Sequence, residues 1–264
     1  MTKVLFSGCS YTSGAGLDLG SQNPLHYTNV LSKEIFGDSV SIHNIGVDGY
    51  SNLRIFLDTC MALSTTHYDC AFVGWTSYPR YYLHIGLEEY ECRRMFMPND
   101  SPMIAHNGND LIFSAKFLNT LRDNLMLISN AHYDILDIVR YVNILKSLAE
   151  SKNVKIYFLN NICHWDHGYF TQVQSSITPC QLTDYTKKIL NTNNRDDSEI
   201  EILYKKIHND YRSCGSIQEL SWLNLYDSMS SFISKFDVGN DNIHPGPLTH
   251  QYYGKFLAKK LQSI

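Results

Sequence analysis

Four short apolar runs recur along the chain, separated by longer amphipathic segments. They lie at residues 3–8, 39–46, 69–75 and 154–161. The runs are rich in β-branched and aromatic residues, which is typical of strands buried on both faces of a sheet. The pattern therefore predicts four buried strands.

Helical patterns separate these runs, with apolar residues three and four positions apart. We predict helices at 23–37, 51–64, 133–150 and 249–264. Asn23 and Pro24 are typical of an N-cap and a first helical position, and Ser51 and Thr249 are the predicted caps of two later helices. Strands alternating with helices favour right-handed crossovers and a parallel sheet covered on both faces. The chain is thus predicted to be an α/β protein, a doubly wound sandwich.

Two long polar and aromatic stretches interrupt the alternation, at about 78–131 and 162–221. Each follows the C-terminal end of a predicted strand, the edge at which open α/β sheets bind ligands, so we expect both stretches to shape a substrate pocket. In the first, the spacing of Glu89 and Arg93 predicts a solvated helical face. We find no repeat or low-complexity linker, and we predict one domain over 1–264.

Composition excludes several classes of function. The formal net charge is -4 and 18% of residues are charged, so the basic field that phosphate-backbone binding requires is absent and nucleic acid is a disfavoured partner. No apolar stretch has the length of a membrane-spanning helix, and the N-terminal residues lack the pattern of a signal peptide. Seven scattered cysteines without CxxC pairs indicate a reducing compartment. We expect a cytoplasmic protein, and the frequent Asn, Tyr and Lys are typical of an AT-rich, for instance viral, source.

Hydroxyl groups cluster between two glycines directly after the first predicted strand, in FSGCSYTSGAG at 6–16. A serine at position 10 of such a glycine-flanked turn can present its hydroxyl above the sheet as a nucleophile. A tight polar turn is the alternative for this stretch taken alone. Cys9 is a second candidate nucleophile, because a thiolate near a helix N-terminus is reactive, but we expect its side chain to face the opposite way from Ser10.

A carboxylate and an imidazole stand three residues apart near the other end of the chain, in GNDNIHPGPLTHQYYG at 239–254. Asp241 beside His244 can fix the imidazole tautomer and stabilise the imidazolium, which is what a histidine needs to deprotonate a serine. The alternative is a loop hydrogen bond that caps the last helix. The later His250 is predicted to lie on the surface.

Four sequence motifs occur in an order that resembles a known protein family. GCSYTSG at 8–14 resembles the GDSxTxG first block of the SGNH, or GDSL-type, hydrolases, and DNIHP at 241–245 matches their DxxHP block. Between them NIGVDGYSN at 44–52 resembles the block NxGxxGxT, and GWTS at 74–77 stands where GxND is expected. Each block alone is weak, but the ordered set spans almost the whole chain and is fairly specific.

The resemblance implies a three-layer α/β/α fold with a parallel, flavodoxin-like sheet and hydrolysis of an ester by a Ser-His-Asp triad. It makes Ser10 the nucleophile and a donor of one oxyanion-hole amide, with Gly49 giving a second amide. It makes His244 the base and Asp241 the residue that orients it. No cofactor and no metal are implied.

The chain departs from the family pattern at two positions. Cys9 replaces the Asp of the first block, which is a local support rather than a catalyst. Thr76 replaces the Asn of the GxND block, and loss of one oxyanion-hole donor typically costs ~2.7–4 kcal/mol. The hydroxyl of Thr76 or Ser77, or a group from the 78–131 stretch, is a candidate replacement for this donor. The alternative is that none replaces it, in which case we expect low activity or activity only on an activated ester.

Substrate and function stay open between several alternatives. Residues at the ends of the third and fourth strands are candidates to line the pocket: Trp75, Ser77, His164 and Trp165. The polar and aromatic stretches favour a small acyl ester, such as an O-acetylated carbohydrate, over a long-chain lipid. Acyl transfer to a sugar, a binding or structural module without turnover, and metal-dependent hydrolysis through CHWDH at 163–167 are the alternatives. The oligomeric state is not indicated.

Overall fold

The computed structural model describes residues 1–76, 80–85, 88–93, 103–106, 109–110, 131–160 and 236–263. In chain order its elements are β1 (Thr2–Gly8), α1 (Ser10–Ser13), a 3-10 turn (Gly20–Gln22), α2 (Tyr27–Phe36), β2 (Val40–Asn44), α3 (Asn52–Thr65), β3 (Cys70–Trp75), β4 (Arg80–Ile85), β5 (Glu88–Arg93), β6 (Met103–His106), β7 (Asn109–Asp110), α4 (Ala131–Ser151), β8 (Lys155–Asn160) and α5 (Pro247–Leu261).

A parallel four-stranded sheet forms the centre of the molecule, in the order β2-β1-β3-β8. The four predicted strands are confirmed within two residues at each end. Every residue of β3 is buried, as the continuous apolar run predicted. The registers align Gly8 of β1 with Gly74 of β3, so the C-terminal ends of these two strands meet at one edge.

Helices cover both faces of this sheet, which confirms the three-layer α/β class. Neighbouring residues of a strand point to opposite faces. Phe6 contacts the ring of Tyr27 on α2, at 6.1 Å between centroids, while Ser7 accepts a hydrogen bond from Thr59 on α3 at 2.8 Å. On the α2 side α5 packs closely, because Gly254 leaves room for the backbone of Tyr27. On the other face α4 packs beside α3, where the rings of Phe56 and Tyr141 stack at 4.5 Å between centroids.

Three predicted helix starts have different outcomes. Ser51 caps α3 as predicted, since its Oγ accepts from the Arg54 N–H at 3.3 Å. The prediction that Asn23 and Pro24 begin a helix is wrong: Asn23 Oδ1 accepts from the N–H of Leu25, which makes a local turn, and α2 begins at Tyr27.

Thr249 is not the cap of the last helix, which begins at Pro247. The carboxylate of Asp237, ten residues before the helix, accepts from the Leu248 N–H at 3.0 Å and from the Thr249 N–H at 2.7 Å. The Thr249 hydroxyl donates to the same carboxylate. A residue distant in sequence thus satisfies the free N–H groups of the first turn, which local caps usually satisfy.

Replacement of Asp237 by Ala is expected to lower the free energy of unfolding by about 1–2 kcal/mol, the usual cost of losing an N-cap acceptor. Urea unfolding followed by circular dichroism measures this. Asp237→Asn keeps one acceptor oxygen and is the control, with a smaller loss. Equal stability of Asp237→Ala and the native protein would show that the cap contributes nothing.

The first long stretch contains an antiparallel sheet, in the order β4-β5-β6-β7. The helical spacing predicted for Glu89 and Arg93 is wrong, because both residues lie in β5. In a strand they are about 13 Å apart at 3.3 Å per residue. Pairing with β4 and β6 decides the local structure here, which a spacing of four residues does not reveal.

Several predictions fall outside the described residues. The stretch at 162–221 is one of them, so its expected part in a pocket stays a prediction, as does the single domain over 1–264. In the described part of the chain, no helix is both long and apolar enough to cross a membrane.

Candidate active site

The turn after β1 carries Ser10 at the C-terminal edge of the sheet. Cys9 is the N-cap of the single-turn helix α1, and its carbonyl accepts from the N–H groups of Thr12 and Ser13 at 2.8 and 3.0 Å. A Cβ at Gly8 would lie 2.2 Å from the Thr12 Oγ1. Gly14 ends the turn with a φ of 84°, a left-handed conformation that favours glycine. These two glycines are why the turn is so tight.

The hydroxyl of Ser10 is buried and has no partner among the residues that the structure describes. The side chain is 0% exposed, and its Oγ makes no hydrogen bond to any of those residues. Leaving a buried polar group unsatisfied costs about 1–3 kcal/mol. Such groups are rare in native proteins and call for an explanation, of which a reactive role is one.

Asp241 and His244 form the carboxylate-imidazole pair that the sequence predicted. His244 Nδ1 lies 2.5 Å from Asp241 Oδ2, and Asp241 Oδ1 accepts from the N–H groups of Ile243 and His244 at 3.0 Å. Partial burial raises the pKa of Asp241, but these hydrogen bonds and the imidazole outweigh it and hold the pKa at about 2. Asp241 is therefore ionised at neutral pH, and His244 Nδ1 carries a proton toward it.

The loop that carries this pair packs against the chain just beyond Ser10. The Asn240 N–H donates to the Gly16 carbonyl at 2.8 Å, and a Cβ at Gly16 would lie 3.0 Å from Asp241 Oδ1. The rings of Tyr11 and His244 meet edge to face, with centroids 5.8 Å apart. No hydrogen bond joins His244 to the Ser10 Oγ. The structure thus brings the pair to the Ser10 turn without completing a Ser-His contact.

The second motif lies against the same turn. Asn44 Nδ2 donates to the Thr12 carbonyl at 2.6 Å, and a Cβ at Gly46 would lie 2.7 Å from the Ser13 nitrogen. Ser13 also donates a hydrogen bond to the carboxylate of Asp48. Gly49, the predicted amide donor, follows directly and is buried with a φ of 84°. The residues that lead to Gly49 are therefore tied to α1.

Thr76 follows the end of β3, and its backbone is held by Asn52 at the start of α3. Asn52 Oδ1 accepts from the Thr76 N–H at 2.9 Å, and Asn52 Nδ2 donates to the Thr76 carbonyl at 3.2 Å. The Thr76 hydroxyl is buried and makes no hydrogen bond within the described part of the chain. Thr76 lies two residues past Gly74 and Ser10 two residues past its partner Gly8, so two unpartnered hydroxyls follow adjacent strand ends.

The structure places the remaining candidates as follows. Cys9 is 0% exposed and belongs to the hydrophobic core, and its orientation relative to Ser10 stays a prediction. Trp75 is also fully buried, stacked on Phe158 at 6.0 Å between centroids, and its indole nitrogen has no partner in the described part of the chain. Ser77, His164, Trp165 and the proposed metal ligands at 163–167 lie outside the described residues.

Sequence reasoning missed two buried histidines near this turn. His250 was predicted to be exposed, and the structure corrects this: it is 0% exposed, because the first turn of α5 faces α2. Its ring stacks on that of His26, which is equally buried, at 4.6 Å between centroids. Burial lowers the pKa of His26 to about 4, against a smaller raising effect from its hydrogen bond to the Tyr11 carbonyl. His250 lies on the face of α5 that packs on α2, and the helical periodicity of α5 was the signal that could have indicated its burial. The contact between His250 and His26 cannot be predicted from the spacing of residues along the sequence.

The sequence matches no protein-family model and no curated protein. Among solved structures, the chain is similar to a member of the lipolytic G-D-S-L family from Veillonella parvula DSM 2008 (9% identity, TM-score 0.44, 100% of this chain and 98% of that one). It is also similar to the psychrotrophic esterase EstA from Pseudoalteromonas sp. (8%, TM-score 0.44, 100% and 96%). A third similar structure is the acetyl xylan esterase Est2A from the rumen bacterium Butyrivibrio proteoclasticus (14%, TM-score 0.44, 99% and 63%).

Proposed function

We propose that this protein is a serine esterase of SGNH type that hydrolyses a small acyl ester. The observation that carries the proposal is the Asp241-His244 pair, with Nδ1 and Oδ2 2.5 Å apart. The pair packs against the turn on which the buried Ser10 hydroxyl has no hydrogen-bond partner among the described residues. A carboxylate that holds an imidazole in one tautomer leaves Nε2 as the basic nitrogen. That nitrogen is the atom available to take a proton from a nucleophile.

The proposed reaction proceeds in two steps. Ser10 Oγ attacks the acyl carbon while its proton passes to His244 Nε2, and the protonated His244 returns the proton to the leaving alcohol. Water then attacks the acyl-enzyme, with His244 again as the base, and releases the acid and free Ser10. Catalytic hydrogen bonds are often long in substrate-free enzymes and shorten when substrate binds. The proposal is therefore compatible with a substrate-free structure in which Ser10 and His244 are not hydrogen-bonded.

The oxyanion is proposed to be held by the N–H groups of Ser10 and Gly49 and by the Thr76 hydroxyl. Ser10 is the first residue of α1, where an N–H has no partner within the helix. The Thr76 hydroxyl is a rotatable donor with no competing partner among the described residues, and Asn52 holds both the N–H and the carbonyl of Thr76. Preorganised donors of this kind supply the largest share of stabilisation in acyl transfer.

The proposed substrate is the ester of a short acyl group, such as an O-acetylated sugar. Acyl transfer uses the same residues, with an acceptor alcohol in place of the water of the second step. These finer assignments rest on the polar and aromatic composition of 78–131 and 162–221, and only tests with substrates decide between them.

A binding module without turnover is the second candidate function. It is favoured by the complete burial of Ser10 and by the absence of a hydrogen bond between Ser10 and His244. The ionised Asp241 held against His244 counts against it, because a structural loop has no need of an imidazole oriented in this way.

Intact-mass measurement after incubation with an alkyl fluorophosphonate tests the proposal. Ser10 Oγ is expected to displace fluoride from phosphorus, giving one adduct that peptide mapping places on Ser10. Ser10→Ala is the control and should acquire no adduct. A native protein that stays unmodified, with its circular dichroism spectrum intact, would contradict the proposed esterase and favour the binding module.

A further inference from the structure

The proposed mechanism leaves two fully buried histidines without a role. His26 precedes α2, and His250 lies in the first turn of α5. Each is 0% exposed, and the two rings pack at 4.6 Å between centroids with an angle of 34°. Histidine is costly to bury when charged, so a buried pair indicates two neutral rings.

The hydrogen bonds of His26 determine its tautomer. Its Nε2 lies 3.0 Å from the Tyr11 carbonyl, which can only accept, so Nε2 carries the hydrogen. Its Nδ1 lies 2.7 Å from the Thr28 hydroxyl and, in the neutral ring, accepts from it. Both nitrogens are thus used, and the ring of His250 packs against His26. Burial lowers the pKa of His26 to about 4, so this arrangement persists at neutral pH.

The acceptor of His26 belongs to the residue next to the proposed nucleophile. Helix α1 has only four residues, and so short a helix is not stable by itself. Other contacts hold its later residues, such as the 3.0 Å contact between the Thr12 hydroxyl and the Tyr27 hydroxyl. His26 holds the carbonyl of Tyr11, and the ring of Tyr11 in turn contacts that of His244.

We propose that His26 is a positioning residue for the nucleophile, a role that rests on the proposed esterase function. By donating from Nε2 to the Tyr11 carbonyl, it fixes the backbone that orients the Ser10 hydroxyl and places the Tyr11 ring against His244. Thr28 fixes the tautomer that makes this donation. His26 itself touches no reacting atom.

Two variants of His26 test the role. His26→Leu removes the donor, whereas His26→Gln offers a side-chain N–H at a similar reach. Misplacement of a reacting group by about 1 Å costs about 10²-fold in rate, so His26→Leu is expected to slow phosphonylation of Ser10 by about that factor. His26→Gln should restore most of the rate. His67→Leu, at an exposed histidine far along the chain, is the matched control with a native rate.

Amide hydrogen exchange, read by mass spectrometry on peptides that cover residues 9–16, tests the anchor without any chemistry. We expect faster exchange in His26→Leu and near-native exchange in His26→Gln. If His26→Leu does not fold, Thr28→Val carries the test, since it removes only the hydroxyl that fixes the tautomer and should change exchange and rate in the same direction.

The outcomes separate this role from the proposed function. If the native protein is never phosphonylated, the esterase proposal fails, and the exchange result alone decides whether His26 anchors the turn. Native exchange and a native rate in His26→Leu would overturn the role of His26. Equal losses in His26→Leu and His26→Gln would also overturn it, because the donated hydrogen bond would then not be the cause.

Discussion

Asp241→Asn is expected to lower the rate of ester hydrolysis, and of phosphonylation at Ser10, by about 10³- to 10⁴-fold, the loss typical of a triad that keeps its shape but loses its carboxylate. In the native protein the carboxylate lies 2.5 Å from His244 Nδ1 and accepts two backbone N–H groups. An amide in its place no longer stabilises the imidazolium that forms when Ser10 is deprotonated. It also permits the other imidazole tautomer, in which Nε2 is not basic.

The pH dependence of this effect follows from the pKa of Asp241, which its hydrogen bonds hold at about 2. Because the carboxylate stays ionised above about pH 3, protonation of Asp241 should add no pH-dependent step to the native rate between pH 5 and 8. Stopped-time labelling with a fluorophosphonate, read by intact mass, measures the rates.

The matched control is Asp18→Asn. Asp18 is an exposed carboxylate that accepts a hydrogen bond at 2.7 Å from the side chain of Asn240, the residue before Asp241. Asp18 itself makes no contact with His244 among those the structure describes. This variant loses the same charge and should react at the native rate. A native rate in Asp241→Asn as well would show that His244 works without Asp241, and the proposed triad would be wrong.

The free energy of unfolding is expected to fall by about 3 kcal/mol or more between pH 6.5 and pH 4, through the buried histidines alone. An unfolded histidine takes up its proton near pH 6.5, whereas burial lowers the pKa of His26 to about 4. In this window the unfolded state binds more protons than the folded state, so stability is complete above pH 6.5 and is lost as the pH falls. Each pH unit costs about 1.4 kcal/mol per group.

His250 adds to the loss in the same direction. Its pKa is lowered by burial first, and then by the nearby imidazoles of His26 and His244. Asp241 acts at lower pH, because its contribution is present above the ordinary carboxyl range and disappears only as the pH falls toward 2. The window between pH 6.5 and pH 4 therefore reports mainly on the buried histidines.

Urea unfolding at a series of pH values measures the effect, and His26→Gln isolates one of the two groups. In this variant the pH-dependent loss should be smaller by about 3 kcal/mol, the share of His26. If His26→Gln and the native protein lose stability in parallel, His26 is not the group that is protonated on unfolding.

The local predictions succeeded where a short apolar run or a nearby side chain decides the structure. β3 and its neighbours are strands because short apolar runs such as CAFVGW are stable only when they are buried in a sheet. Ser51 caps α3 because its hydroxyl accepts a hydrogen bond from the N–H three residues later. The local predictions failed where a distant partner decides. The N–H groups at the start of α5 are satisfied by Asp237, and the segment at 88–93 is a strand because β4 and β6 pair with it.

The alternation of strands and helices, the parallel sheet that this implies and the close pairing of Asp241 with His244 could all be predicted from the sequence. They depend on the apolar period and on residues three apart in one loop, which are local properties of the chain. Three features appear only when the chain is folded: Asn52 holds Thr76, the Ser10 hydroxyl is buried with no partner among the described residues, and His26 and His250 are buried against each other. Each of these depends on groups that are far apart in sequence and meet only when the helices pack on the sheet. Burial, and with it the pKa of a histidine, is a property of that packing rather than of the residue.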